Sequence, residues 1–313
     1  MNLHISTGPH IRTRESTRSL MLDVLIALLP TTAAGIYLFG LRAVWVLAVS
    51  VASAVIAEYV WQKLTRRPVR VGDLSAVVTG LILGLNLPAN APLWMPAIGS
   101  AFAIIIVKQL FGGIGHNFLN PALAARAVLL TSWPAHMTSA ILPARLLGLS
   151  SAASSVDATT SATPLALVGN WNNTDLFLGN IPGAIGEVCK LAILLGFLYL
   201  LLMKVITWHI PVVFVGTVAL LSWVLGGDPL TAILSGGVLF GAVFMATDYV
   251  TNPMLRRGEA LFAFGCGVLV VIIRKFGNYP EGVTYAILIM NILTPLIDRS
   301  MKRRIYGEVK KNG

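Results

Sequence analysis

Runs of roughly 18 to 22 apolar residues recur along this chain, separated by short polar or basic joints, and that is the length a helix needs to cross a bilayer. Inside lipid every backbone polar group must find its partner within the protein, so runs of this length are expected to be helices. Ten spans are expected, at 20–40, 42–61, 74–90, 93–112, 120–133, 183–203, 209–226, 229–248, 258–275 and 282–298. The chain is 56% hydrophobic and only 12% charged, about half the charged fraction of an ordinary soluble domain. The expected class is an all-α polytopic membrane protein.

The basic residues orient the spans. With the N-terminus in the cytoplasm, the inner segments hold Arg12, Arg14, Arg18, Lys63, Arg66, Arg67, Arg70, Lys108, Arg126, Lys204, Arg256, Arg257, Arg299, Lys302, Arg303, Arg304, Lys310 and Lys311. The outer side keeps Arg42, Arg145, Lys190, Arg274 and Lys275. This asymmetry is the positive-inside pattern. It explains the net charge of +10 without nucleic acid as a partner, and it places both termini in the cytoplasm. Residues 1–19 have no short apolar core before a small-residue cleavage point, so insertion rather than secretion is expected.

The organisation follows: a cytoplasmic segment 1–19, a first five-helix unit 20–133, an external loop 134–182, a second five-helix unit 183–298 and a basic tail 299–313. Gly72-Asp73-Leu74-Ser75-Ala76 opens the third span and Gly227-Asp228-Pro229-Leu230-Thr231-Ala232 the eighth. Phe111-Gly112-Gly113 and Phe276-Gly277-Asn278 follow the fourth and ninth spans. Five spans per unit place the first Gly-Asp inside and the second outside, so the halves are expected to be inverted repeats, with a site at their interface built from broken helices. Asn86-Leu87-Pro88-Ala89-Asn90 is such a break.

The long loop carries Asp157-Ala158-Thr159-Thr160-Ser161-Ala162-Thr163-Pro164-Leu165. This spacing resembles the acceptor onto which a dedicated transferase esterifies FMN through its phosphate. Small Ser161 and Ala162 leave room for the transferase, Asp157 is placed to help it bind, and Pro164 disfavours helix at Thr163. Thr160 completes the motif. A Ser/Thr/Ala-rich loop is in itself common; its setting between two five-span units is what gives this one weight.

The chain resembles the NqrB/RnfD family, which takes in the RnfD component of the Rnf ion-translocating electron-transport complex and the NqrB component of the sodium-pumping NADH:quinone oxidoreductase. The residues that carry the resemblance are Pro9-His10-Ile11-Arg12, Leu25 to Pro30, Gly35 to Gly40, Phe111 to Ala122, Asp157 to Leu165, Met245 to Pro253 and the basic tail. The family's usual acceptor has Gly where this chain has Ser161. The resemblance implies a membrane flavoprotein subunit with one covalent FMN on Thr163. Electron transfer between ferredoxin and NAD would be coupled to Na⁺ or H⁺ movement, and the partners would be the other Rnf subunits, above all a second one with covalent FMN. The related sodium-pump component also binds a non-covalent riboflavin, an expectation carried here. The rivals are the sodium-pump component itself, whose chains have a longer N-terminal arm, and a five-plus-five channel without redox work.

Polar residues inside the spans are functional candidates by default. Asp248, with Thr247 and Asn252 nearby, either coordinates a cation along an ion path or pairs with Arg256 or Arg257. His116, Asn117 and Asn120 either cap helix ends or line a flavin or ion pocket. Glu187 and Lys190 read as a helix-surface pair, and Glu58 and Asp23 as span-end groups that reach the interface. Gly236, Gly237 and Gly241 are expected on a contact between subunits. Cys189 and Cys266 read as small buried hydrophobes. Trp61, Trp94, Trp133 and Trp208 suit an aromatic belt. No metal cluster, catalytic residue or dinucleotide loop is expected: Gly112-Gly113-Ile114-Gly115 lacks the preceding strand.

Overall fold

In the computed structural model, which describes residues 16–141, 143, 160–161, 172–277 and 282–301, the chain is helical from Thr17 on. Helix α1 (Thr17–Phe39) starts at a capping box, in which Ser16 accepts from the Ser19 amide and Ser19 accepts from the Ser16 amide. It ends at Gly40, whose φ of +71° is open to glycine. That single residue turns the chain into α2 (Leu41–Leu64). These are the two helices long and apolar enough to span a membrane by themselves among the described residues.

The later expected spans are shorter or interrupted. Helix α3 (Ser75–Leu85) stops at the Asn86–Asn90 break. Helix α4 (Trp94–Phe102) runs on as a π-helical segment, Ala103–Gln109, and α5 covers Pro121–Ser132. After the short α6 (Pro134–Thr138), strands β1 (Ala140–Ile141) and β2 (Thr160–Ser161) pair antiparallel. Then come α7 (Asn173–Leu178), α8 (Lys190–Leu202), α9 (His209–Val224) and α10 (Pro229–Leu234). The chain closes with α11 (Val238–Phe240) and its π-helical extension Gly241–Met245, α12 (Arg256–Phe276) and α13 (Val283–Ser300).

Two expectations change. The sixth span does not begin at 183. Ala184 bridges Pro88, residues 185–187 turn, and this stretch pairs with the α3 break: Gly186 N–H donates to Leu85 O at 2.7 Å and Ile185 N–H to Leu87 O at 3.1 Å. The backbone left open where α3 stops is thereby satisfied by protein, as a break at membrane depth requires. The eighth span is likewise two pieces, α10 and α11, separated at 235–237.

Packing runs in parallel in the two units. Helix α2 lies against α3 and α4, and α9 lies against α10 and α12; α1 with α8 and α5 with α13 join the units. Small residues permit the closest approaches. A Cβ on Gly80 would sit 2.9 Å from Ser50 O, and Ser50 Oγ donates to Gly80 O at 2.7 Å, locking α2 to α3. Gly267 does the same for α12 on α9, where a Cβ would lie 2.6 Å from Thr217 Cβ. Gly236, Gly237 and Gly241 were expected on a contact between subunits. Two of them turn inward instead: Gly237 faces the Glu187 carboxylate and Gly241 faces Val283. The third, Gly236, offers its carbonyl to Lys190.

The outer faces of the long helices are apolar. Leu22, Ile26 and Leu29 on α1, Leu191, Leu195 and Leu198 on α8, and Ile289, Ile292 and Leu296 on α13 are all exposed. Exposed apolar surface so extensive suits lipid rather than water. Cys266 is buried and Cys189 half-buried, both free. Trp94 stands 4.9 Å from Trp133 edge to face, and Trp208 stacks on His209 at 4.2 Å.

Candidate functional site: a polar cleft and a buried charge cluster

Of the FMN acceptor stretch, Thr160 and Ser161 are described as β2, paired with Ile141 and Ala140. Asp157, Ala162 and Thr163 lie outside the described residues.

Most of the remaining candidates converge on one cleft. It lies between the start of α1 (Met21, Val24), the first turns of α3 (Ser75 to Ile82), Lys108, the start of α5, the end of α8 (Leu200) and residues 243–250. Asn117, Asn120, Thr247 and Asp248 all line it. It opens to the surface, and its lining is mostly apolar with these few polar groups among it.

Each polar group there has a structural cause. Asn120 is the N-cap of α5, with Pro121 at the first helical position; its Oδ1 accepts from the Ala122 and Leu123 amides. Its Nδ2 donates to Met245 O at 3.2 Å, tying α5 to the end of the second π segment. Asn120 therefore caps a helix and also lines the cleft. Asn117 is buried and donates to Leu119 O. His116 does not join them; it is exposed, with its ring beside Gly112.

Thr247 Oγ1 donates to Val243 O, a carbonyl within the π-helical segment, and Thr251 Oγ1 donates to Asp248 Oδ2 at 3.3 Å. Asn252 does not reach the cleft; its backbone N–H turns back to Asp248 O. The expected pairing of Asp248 with Arg256 or Arg257 is not found: the ion pairs among the described residues are Glu58–Lys108 and Arg126–Glu187. Arg256 and Arg257 begin α12 and are exposed, so their heads stay in solvent.

Neither of those two ion pairs was expected from the sequence. Lys108, on the cleft wall, donates to Glu58 Oε1 at 2.8 Å and to Ser75 Oγ at 2.5 Å. Gln109 Nε2 adds a 2.6 Å bond to the same Glu58 oxygen. Glu58 is only 1% exposed, so it is not an interfacial span-end group. Asp23 is half-buried near the start of α1 and accepts from Tyr199 Oη at 3.2 Å.

At the other end of α3 and α8 a second buried cluster forms. Arg126 Nη1 donates to Glu187 Oε1 and to Asn86 Oδ1, both at 2.6 Å. Asn86 Nδ2 in turn caps Ile82 O. Lys190 donates to the backbone oxygens of Glu187 and Gly236. Glu187 and Lys190 are 2% and 1% exposed, so they are no surface pair. The signal available in the sequence was two carboxylates and three basic residues within apolar runs; charges there rarely stand alone.

The family model described as NQR2, RnfD, RnfE matches residues 4–307. The D subunit of the Na⁺-translocating ferredoxin:NAD⁺ oxidoreductase complex of Acetobacterium woodii is 50% identical, over 99% of this chain and 97% of its own length. The D subunit of the proton-translocating ferredoxin:NAD⁺ oxidoreductase complex of Clostridium ljungdahlii is 42% identical over 97% and 96%. The D subunit of an ion-translocating oxidoreductase complex of Stutzerimonas stutzeri is 42% identical over 94% and 93%. Matched from end to end by these relatives and by the family model, the chain belongs to the NQR2, RnfD, RnfE family.

Proposed function

We propose that this chain is the membrane D subunit of an ion-translocating ferredoxin:NAD oxidoreductase, carrying electrons through FMN held by a phosphoester on Thr163 and coupled to Na⁺ or H⁺ transport. The observation that carries the reading is the end-to-end likeness to the D subunits of such complexes, together with the Asp157–Leu165 acceptor spacing. A flavin there supplies reversible one- and two-electron storage. The chain's own part is to present the Thr163 hydroxyl on an extended stretch. Pro164 just after it disfavours a helical conformation at that residue. Its partners in this reading are the other subunits of the complex, including one with its own covalent FMN, and its place is the cytoplasmic membrane with both termini inside.

We propose further that a non-covalent riboflavin takes the cleft. Its walls offer the apolar faces of Val78, Ile82 and Phe244 with polar groups from Asn117, Thr79 and Lys108, a lining that suits a flat heterocycle with a polar edge. Asp248 and Thr247, on the same wall, would then stand beside both ring and ion. The parallel packing of α2–α3–α4 and α9–α10–α12 supports reading the units 20–133 and 183–298 as inverted repeats joined by the external loop 134–182.

The test is mass spectrometry of the chain purified from its native cells. The Thr163 peptide should carry the mass of FMN, and the denatured band should fluoresce under ultraviolet light. Thr163→Ala should abolish that fluorescence. An unmodified peptide would overturn the covalent flavin while leaving the likeness to the D subunits standing. Riboflavin released by acid from native complex, and lost in Asn117→Leu, tests the cleft separately.

A further inference from the structure

The inner wall of the cleft leads to the Lys190 cluster. Ile82 lines the cleft, and one turn on, Asn86 caps Ile82 O and meets Arg126. Here the two interrupted segments meet. Residues 184–187 lie along the α3 break, and 235–237 separate α10 from α11. Backbone carbonyls freed from a helix at such crossings are the groups from which membrane proteins build alkali-cation sites.

The Lys190 ammonium lies among groups of that kind. It donates to Glu187 O and, at 3.0 Å, to Gly236 O. The Glu187 carboxylate packs against Gly237, where a Cβ would come within 2.6 Å of Oε1 and push the carboxylate aside. Glu187 Oε2 and Ser235 Oγ are buried with no hydrogen-bond partner, and Ser235 is 0% exposed. Two carbonyl oxygens, a spare carboxylate oxygen and a spare hydroxyl at one crossing are hard oxygen donors suited to a hard cation. A lysine ammonium is a compact point charge of the same sign on a flexible stem.

We propose that the Glu187 and Gly236 carbonyls are one side of a seat for an alkali cation, occupied here by the Lys190 ammonium, and that the spare Glu187 Oε2 and Ser235 Oγ complete it once the ammonium leaves, so that Lys190 plugs a cation passage leading from the cleft between the two helix breaks. Arg126 holds the other Glu187 oxygen and Asn86, and so fixes the seat without filling it. The plug does not depend on the flavin reading; an unmodified Thr163 would leave it intact.

The test uses the whole complex in liposomes without electron donor, with passive uptake of ²²Na⁺ as readout. Lys190→Met vacates the seat; Lys190→Gln keeps a donor for the carbonyls but removes the charge. Both are expected to raise Na⁺ uptake at least about tenfold over native complex while choline stays excluded, and added Na⁺ should raise the Tm of the variants but not of the native protein. Assembled variants with native-level uptake would overturn the proposal. So would equal leakage of choline, which marks a general defect. Failure of both variants to assemble would overturn it too, because the ammonium would then be a structural clamp.

Discussion

The helices around Gly72-Asp73 and those around Gly227-Asp228 solve the same problems with different chemistry. Each opens its broken helix with Gly-Asp. In the first, Asp73 Oδ1 accepts from the Ser75 amide and hydroxyl; in the second, Asp228 accepts from the Leu230 and Thr231 amides and the Thr231 hydroxyl. The local device is the same, yet the intervening residue differs: Leu74 takes a left-handed φ of +65°, where the second unit has Pro229 at the first helical position. Each unit also sends a basic side chain from its fourth helix back toward the broken one. Lys108 finds the Glu58 carboxylate, whereas Arg274 finds the Ala232 and Ser235 carbonyls that α10 leaves open. The helix starts at the two Gly-Asp pairs are thus alike, while the partner of the basic side chain changes from a carboxylate to backbone carbonyls. The ion pair faces the cleft; the carbonyl cap supports the break beside the Lys190 seat.

That contrast can be broken experimentally, and the largest effect is expected in the first unit. Glu58→Ala strands the Lys108 ammonium, 3% exposed, and should cost about 3–5 kcal/mol, as removing one partner of a buried pair does; thermal unfolding of the complex in detergent measures it. Pairing it with Lys108→Met should recover most of that loss, since replacing both partners by apolar groups is close to neutral. If the double variant is as unstable as the single, the pair is holding something other than itself.

Arg274→Met should cost less, about 1–3 kcal/mol, because what it leaves unpaired are carbonyls rather than a charge. Equal losses for Glu58→Ala and Arg274→Met would erase the distinction between the units. Smallest is the cap of α10. The Thr231 hydroxyl, followed by the Thr231 amide, holds the Asp228 carboxyl below the usual carboxylate value. A depressed folded pKa gives stability that is present above the unfolded value, about 3.9, and is lost as pH falls through the folded one. The group is exposed, so solvent screens most of this. Asp228→Asn should remove a slight acid sensitivity below about pH 4, visible as faster amide exchange in α10 of the native protein alone.

Span positions were legible because bilayer thickness fixes helix length. Leu41–Leu64 and His209–Val224 fall within three residues of the expected limits, and the Asn86–Asn90 break stood in the sequence as a proline between two asparagines. The convergence of Asn117, Asn120, Thr247 and Asp248 was only half legible. Each was an isolated polar residue near a span end, and their common cleft depends on α5 meeting the second π segment through Asn120 and Met245. The charges were misread in a consistent way. Lys108, Arg126 and Lys190 were counted as markers of sidedness, which assumes that a charge in an apolar run reaches an interface.

The sequence alone determined the helical class, the Gly-Asp pairs at two helix starts and the family likeness, because these rest on local chain chemistry and hydropathy. Only the tertiary structure decided that Glu58 answers Lys108, that Arg126 answers Glu187 across 61 residues, and that Lys190 lies on the carbonyls of a helix break. A buried charge is settled by whichever group folding brings within hydrogen-bond reach in a medium that screens it poorly, and no spacing along the chain records that distance.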